Sequence, residues 1–116
     1  FNMFRVRFKA LKRGEVRPRY FKTYQGELPE NVLVAGNHFN NQFQVPVLFF
    51  ITCIVAIQTS AVTYAFLIFS ILFICSRLLH SYVHLTSNNL VRRASLYAVG
   101  LSLLFVLWLH ILSQIF

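Results

Sequence analysis

The sequence predicts an all-α integral membrane protein with a single domain over residues 1–116. Of the 116 residues, 57% are hydrophobic and only 12% are charged, and the mean hydropathy of +0.61 is far above that of soluble domains. No Asp, Glu, Lys or Arg occurs from Asn31 to Ser76 or from Ala94 to Phe116. About 20 helical residues suffice to cross the hydrocarbon layer. Because these apolar runs are continuous rather than alternating, they favour helices over the strands of a membrane β-barrel.

Positive charge is concentrated in two places along the chain. Eight of the eleven basic residues lie between Arg5 and Lys22, and Arg92 and Arg93 form a second cluster. The positive-inside rule assigns both clusters to the cytoplasmic side of the membrane and the charge-free QTSA turn to the other side. This arrangement explains the net charge of +8 without a nucleic-acid partner. Membrane lipids are therefore the expected surroundings, and no nucleic acid is expected.

The hydropathy pattern divides the chain into a helix end, a basic loop and three membrane helices. The predicted ranges are 1–11 for the helix end, 12–29 for the loop, and 30–57, 62–85 and 90–115 for the membrane helices. The apolar body of the first helix is expected to precede Phe1, with the basic side chains of residues 1–11 extending into the lipid headgroups. An interfacial amphipathic segment is the alternative for this stretch. Pro46 is expected to kink the helix over 30–57.

Two stripes of polar side chains interrupt the apolar helices. The first consists of Asn37, Asn40, Asn41 and Gln44, and the second consists of Arg77, His80, Ser81, His84 and Asn88. Residues at these spacings share one face of a helix. Antiparallel helices joined by a short turn place both stripes at the same depth, near the basic side. Since an isolated polar group in hydrocarbon costs several kcal/mol, we expect the stripes to face each other, a subunit interface or a ligand.

Two interpretations of the polar stripes follow. In one, the Arg, His and Asn side chains form a satisfied hydrogen-bond network between helices. In the other, they line a cleft for an anionic, partly apolar ligand, because Arg77 has no acidic residue in its own membrane segment to pair with. His80 and His84 have the spacing of a metal-ligand pair, but no further ligand lies nearby in sequence, and no metal is predicted. Cys53 and Cys75 are predicted to be buried small hydrophobes without a disulfide.

The motifs NHFNNQFQVPVLFF and RLLHSYVHLTSNN, followed by a basic start to the last helix, resemble the MAPEG superfamily (membrane-associated proteins in eicosanoid and glutathione metabolism). The chain is most similar to the small bacterial members, and the resemblance covers about Arg5 to Ile115. It implies a left-handed four-helix bundle, with the first helix mostly before Phe1. It further implies a homotrimer in the bacterial inner membrane that binds glutathione between subunits near the cytoplasmic side.

The resemblance also assigns individual residues. Asn40 matches an Asn that helps to hold glutathione, Arg77 matches the Arg that opens the third-helix motif, and His80 and His84 match positions commonly occupied by tyrosine. Either Arg92 or Arg93 approximates the Arg credited with activating the thiol. Enzymatic members usually carry an Arg ahead of the Asn and a Glu just before the proline. The corresponding stretch of this chain contains Gly36, Phe43 and Gln44.

Three hypotheses about function result. The first is a glutathione-dependent transferase or peroxidase acting on lipophilic electrophiles. In it, Arg77 and Arg92 are the catalytic residues that stabilise the thiolate, and glutathione is the cofactor. Its ligand-binding residues are Asn37, Asn40, Asn41, Gln44, His80, His84 and Asn88. The second is a non-catalytic protein that binds a lipid or small molecule in the same cleft. The third is an accessory subunit of a larger membrane complex.

Overall fold

The computed structural model describes residues 2–23 and 26–116, most of which are helical. The helices are α1 (Asn2–Lys12), α2 (Tyr20–Thr23), α3 (Glu30–Gln42), α4 (Val45–Gln58), α5 (Tyr64–Leu85) and α6 (Leu90–Ile115). The chain divides into two compact units, Phe1–Asn41 and Gln42–Phe116, which are described in turn. The single domain predicted over residues 1–116 stays a prediction.

Within the described residues, three stretches are long and apolar enough to cross a membrane. They are Glu30–Gln58, Tyr64–Leu85 and Leu90–Ile115, judged by length and composition. Large apolar side chains are exposed along each of them, among them Ile54, Ile68 and Phe105. Such surfaces suit hydrocarbon rather than water. The all-α membrane architecture predicted from the sequence is therefore confirmed.

In the first unit, α1 ends at a glycine. Gly14 has a positive φ of 71°, its N–H donates to the carbonyl of Leu11, and the N–H of Glu15 donates to the carbonyl of Ala10. These two bonds form a Schellman motif, which the left-handed conformation of a glycine permits without strain. A small apolar cluster of Ala10, Val16 and Val32 fills this unit, and Tyr20 and Phe21 of α2 pack against it. The predicted loop over 12–29 thus contains one short helix.

The predicted helix over residues 30–57 is interrupted. Helix α3 ends at Gln42, and α4 begins at Val45 with Pro46 in its first turn. Proline lacks an N–H, and its ring clashes with the carbonyl four residues earlier, which is that of Gln42. The chain therefore leaves the helix for two residues, Phe43 and Gln44, instead of bending within a continuous helix.

In the second unit, α5 packs along α6, and α4 also contacts α6. Its core includes Phe73, Leu107 and Ile111, and the ring of Phe49 stacks on that of Phe73 with centroids 4.4 Å apart. Helix α6 lies close to α5 at Gly100, where a Cβ would be in van der Waals contact with α5, 3.4 Å from Ser76 Oγ. This close approach brings the polar face of α5 against α6.

The two cysteines lie in different environments. Both are free thiols, with Cys53 half-buried and Cys75 exposed. The prediction that Cys75 is buried is wrong, because it lies on the face of α5 that also exposes Ile71, Ile74 and Leu78. A continuous run of apolar residues in a membrane helix does not show which of its residues face protein and which face lipid.

Candidate functional site

Helix α5 buries most of its polar stripe within the second unit. Arg77, His80 and His84 have only 6%, 2% and 1% of their surfaces exposed, and Ser76 is buried beside them. The periodicity of the sequence predicts this common face. The polar groups are thus withdrawn from the apolar exterior of α5.

The guanidinium of Arg77 is buried against Tyr97. Its carbon Cζ lies 5.5 Å from the centre of the Tyr97 ring, a cation–π contact between α5 and α6. Its Nε, Nη1 and Nη2 atoms are all buried, and none has a hydrogen-bond partner among the described residues. Five N–H donors are therefore unused. A buried cation in this state is costly unless an anion or an acceptor reaches it.

His80 lies one turn further along the same face. Its Nδ1 is 3.1 Å from the backbone carbonyl of Arg93. Because a carbonyl only accepts, Nδ1 carries the hydrogen, and the neutral ring keeps a lone pair on Nε2. That Nε2 is also buried, and no group in the described part of the chain hydrogen-bonds to it. The His80 ring lies 6.0 Å from the rings of both His84 and Tyr97.

The two arginines at the start of α6 play different parts. Arg93 holds the end of α5 through its Nη1, which donates to Asn88 Oδ1 at 2.7 Å, and through its carbonyl at His80. The side chain of Arg92 is exposed, and its backbone N–H donates to the cap residue Asn89. The structure therefore brings Arg93 rather than Arg92 to the buried histidines. The catalytic role predicted for Arg92 stays a prediction.

A cavity of about 240 Å³ lies beside Arg77 in the second unit. Its walls consist of Gln42, Pro46, Phe49, Phe50, Phe73, Ile74, Arg77, Leu78 and Ser81. At its polar end, Gln42 Nε2 donates to Ser81 Oγ at 2.9 Å. The cavity therefore has a mostly apolar wall, with the amide of Gln42 and the hydroxyl of Ser81 at one end and Arg77, whose guanidinium nitrogens are buried, beside them. This combination suits a ligand with an apolar body and a negative charge.

The polar residues predicted before Pro46 are divided between the two units. Asn37 and Asn40 are exposed and Asn41 is half-buried, all in the first unit. Gln44, in the second unit, is exposed and makes no side-chain cap to α4. The structure brings Gln42 instead of Gln44 to α5. The ligand-binding roles predicted for these residues stay predictions.

Comparison with known proteins gives one match. The model of the MAPEG family matches residues 1–113. The chain belongs to the MAPEG family. A search of curated proteins found no match, and a search of solved structures found none. The resemblance seen in the sequence is confirmed, and the chain is an integral membrane protein of the glutathione and eicosanoid metabolism superfamily.

Gly36, which departs from the enzymatic MAPEG pattern, has an arginine beside it in the structure. Gly36 lies where those members carry an Arg, and Arg7 of α1 reaches the same turn of α3. Its Nη2 is 3.6 Å from where a Cβ of Gly36 would be, and its Cζ lies 5.2 Å from the centre of the Phe21 ring. In this MAPEG protein a guanidinium therefore lies against position 36, although it comes from another helix of the first unit.

The spacing of residues on α6 indicates which of them face this site. Arg93, Tyr97 and Gly100 recur at intervals of four and three on α6, a spacing that places them on one helix face. In the structure, all three contact the polar face of α5. For the metal alternative, no group of three His, Cys, Asp or Glu residues in the described ranges is placed to hold an ion. His80 and His84 thus lack the further protein ligands of a metal centre there.

Proposed function

We propose that this MAPEG protein is a glutathione-dependent transferase or peroxidase that acts on lipophilic electrophiles within the membrane. The observation that carries the proposal is the buried guanidinium of Arg77, whose nitrogen atoms have no hydrogen-bond partner among the described residues. Arg77 also lines an apolar cavity. An anion placed there would satisfy the guanidinium, and a lipophilic partner would fit the wall.

The residues present fit a thiolate or a carboxylate at Arg77. Charge-assisted hydrogen bonds from a guanidinium are among the stronger ones that a protein makes, and a nearby cation favours the thiolate over the thiol. Glutathione, when bound, would supply the thiolate that attacks an electrophilic carbon or a hydroperoxide. Arg77 would hold the negative charge on sulfur, and the rim formed by Gln42 and Ser81 would accept or donate hydrogen bonds to the rest of the ligand.

The neighbours of Arg77 have separate tasks in this proposal. Tyr97 holds the guanidinium in place through its ring. His80 offers the lone pair of Nε2 as a proton acceptor, because the carbonyl of Arg93 fixes the hydrogen on Nδ1. Phe49 and Phe73 form an apolar wall that excludes water from the electrophile.

A second candidate is the non-catalytic binding of an amphipathic anion. It is favoured by Gly36 and Phe43, which replace the Arg and Glu of enzymatic members and so remove two charges that could hold glutathione. The same cavity would then take a lipophilic carboxylate, with Arg77 as its counter-ion. The accessory-subunit hypothesis differs from both, because a partner protein would satisfy Arg77.

Calorimetry of glutathione binding to the detergent-purified protein tests the first proposal. Saturable binding is expected, together with the ultraviolet absorbance of a thiolate and conjugation of chlorodinitrobenzene. Arg77→Gln should abolish all three, whereas Arg17→Gln, which removes an exposed arginine, should preserve them. A folded protein that binds no glutathione would contradict the proposal. Binding of a fatty-acid carboxylate alone would then support the second candidate, and co-purifying subunits would support the accessory hypothesis.

The proposal includes the assembly that the family resemblance implies. A four-helix bundle assembled as a homotrimer, with its basic clusters on the cytoplasmic face of a bacterial inner membrane, is supported by the family match and by the charge distribution. Exposed carboxamides of Asn37 and Asn40 on a membrane segment also favour contact with another subunit. Native mass spectrometry after gentle detergent release should give the trimer mass. A monomer mass under those conditions would contradict it.

A further inference from the structure

Helix α1 carries a row of basic residues on one face. Arg5, Lys9 and Arg13 recur every four residues, so that they lie one above another, and all three are exposed. Together with Glu15 and Asn31 they line a cavity of about 230 Å³ in the first unit. Three cations thus converge on one small cavity. Their mutual repulsion is relieved when an anion enters it.

The acidic residue at this cavity does not neutralise it. Glu15 Oε1 lies 3.8 Å from Arg13 Nη1 in an ion pair. The side chain of Arg13 is 68% exposed and that of Glu15 is 39% exposed. Such an exposed pair contributes little. Three cations against one carboxylate leave two positive charges, 3 − 1 = 2, on this part of the surface. Arg7 does not add to the row, because its guanidinium turns towards Phe21 and Gly36.

An apolar surface runs beside the basic row. Phe4 and Phe8 lie one turn apart on α1, with 66% and 70% of their surfaces exposed. At about 100° per residue, they lie next to the row of Arg5 and Lys9 around the helix. A soluble phosphate or nucleotide would leave both rings in water. A phospholipid would contact the basic row with its phosphate and the two rings with its acyl chains.

We propose that the cavity lined by Arg5, Lys9, Arg13 and Asn31 binds the phosphate of an anionic phospholipid headgroup, with Phe4 and Phe8 against the acyl chains. Charge complementarity selects an anionic lipid over a zwitterionic one, whose own cation would be repelled by the three basic residues. Arginine and lysine donate charge-assisted hydrogen bonds to phosphate oxygens. The site lies within the first unit and does not depend on glutathione.

Native mass spectrometry of the full chain tests this site. The purified protein is titrated with phosphatidylglycerol or with phosphatidylcholine, and the bound lipid is counted. The wild-type protein should retain phosphatidylglycerol preferentially. Replacement of Arg5, Lys9 and Arg13 by Gln should lower its retention about tenfold or more, since each basic residue near a lipid surface contributes appreciably. A matched variant with Arg17, Arg19 and Arg92 replaced by Gln loses the same charge and should retain the lipid.

Two further measurements separate a lipid site from a site for a free anion. Phe4→Ser with Phe8→Ser should weaken retention of phosphatidylglycerol and leave the charges intact. Millimolar inorganic phosphate should fail to displace the lipid. Equal loss in both charge variants would overturn the proposal, as would displacement by phosphate combined with no effect of the serine substitutions. Lys9→Gln alone, a single exposed change, provides a variant in which folding is preserved, and circular dichroism checks the helix content of each protein.

Discussion

The guanidinium of Arg77 on α5 lies 5.5 Å from the centre of the Tyr97 ring on α6. This cation–π contact leaves every N–H of the guanidinium without a hydrogen bond among the described residues. The ring offers its negative face without using these donors. The same contact can therefore hold the cation in place without using any of its hydrogen-bond donors.

The role of Tyr97 can be tested by two substitutions of different kinds. Tyr97→Phe keeps an aromatic face, whereas Tyr97→Leu removes it and costs the cation–π contact of about 1 kcal/mol. We expect the Leu variant to bind glutathione roughly fivefold more weakly than the Phe variant. Calorimetry on the two purified proteins measures the difference. Equal affinities would show that the ring does not position Arg77.

Arg77 itself should lower stability while it supports function. Replacing even a paired set of buried ions by apolar residues of similar volume is often neutral or stabilising by about 1–4 kcal/mol, and Arg77 has no acidic partner in the described residues. Arg77→Met is therefore expected to raise the thermal unfolding temperature in detergent and to abolish glutathione binding. Phe73→Ala, which removes a core ring stacked on Phe49, should lower the unfolding temperature instead. An Arg77→Met protein that unfolds earlier than wild type would indicate that a partner satisfies Arg77.

The space around Gly100 limits the size of the side chain that α6 can carry at this position. A Cβ would lie 3.4 Å from both Arg77 Cδ and Ser76 Oγ, which is ordinary van der Waals contact. Gly100→Ala should thus fold like wild type, whereas Gly100→Leu should push α5 and α6 apart and cost about 1–3 kcal/mol. Thermal unfolding in detergent and glutathione calorimetry measure both effects. Normal binding by a folded Leu variant would contradict the close packing seen here.

The sequence predicted one helix face of the site and not its partner. Periodicity alone places Arg77, His80 and His84 together, because the spacing of a helix is regular. It does not fix the rotation of α6 about its own axis, so that periodicity alone does not place Tyr97 and the carbonyl of Arg93 against this face. That rotation depends on side-chain packing at positions such as Gly100.

The stretch before Pro46 shows a second limit of sequence reasoning. A continuous helix would put Gln44 on the polar face, but the interruption at Phe43 and Gln44 resets the register. Gln42 therefore bonds to Ser81, and Gln44 is exposed. The sequence predicts a kink at Pro46, whereas the place at which the helix stops follows from the clash between the proline ring and an earlier carbonyl.

A hydrogen bond ties the far ends of α5 and α6. Thr63, the cap of α5, accepts the N–H of Phe66 at 3.3 Å, and its hydroxyl is 2.9 Å from His110 Nε2. Because the oxygen accepts from Phe66, its hydrogen is available to His110. Thr63→Val loses both bonds and should destabilise the protein by about 1–2 kcal/mol, whereas Thr63→Ser retains both. Matching unfolding temperatures for the two variants would show that neither bond contributes.

Substitutions of Arg7 test whether its guanidinium takes the place of the Arg that enzymatic MAPEG members carry at the position of Gly36. Enzymatic MAPEG members present an Arg from this position, and here the Nη2 of Arg7 lies 3.6 Å from where the Cβ of Gly36 would begin. We expect Arg7→Gln to weaken glutathione binding about tenfold, because it removes the guanidinium that lies against position 36 and with it one charged hydrogen-bond partner. Adding Gly36→Arg to Arg7→Gln should restore binding, because the charge returns to the same turn of α3. Arg5→Gln, which removes the neighbouring exposed charge of α1, is the control and should bind normally. Unchanged affinity in Arg7→Gln, measured by calorimetry against a wild-type protein that binds, would show that Arg7 serves only to pack against Phe21.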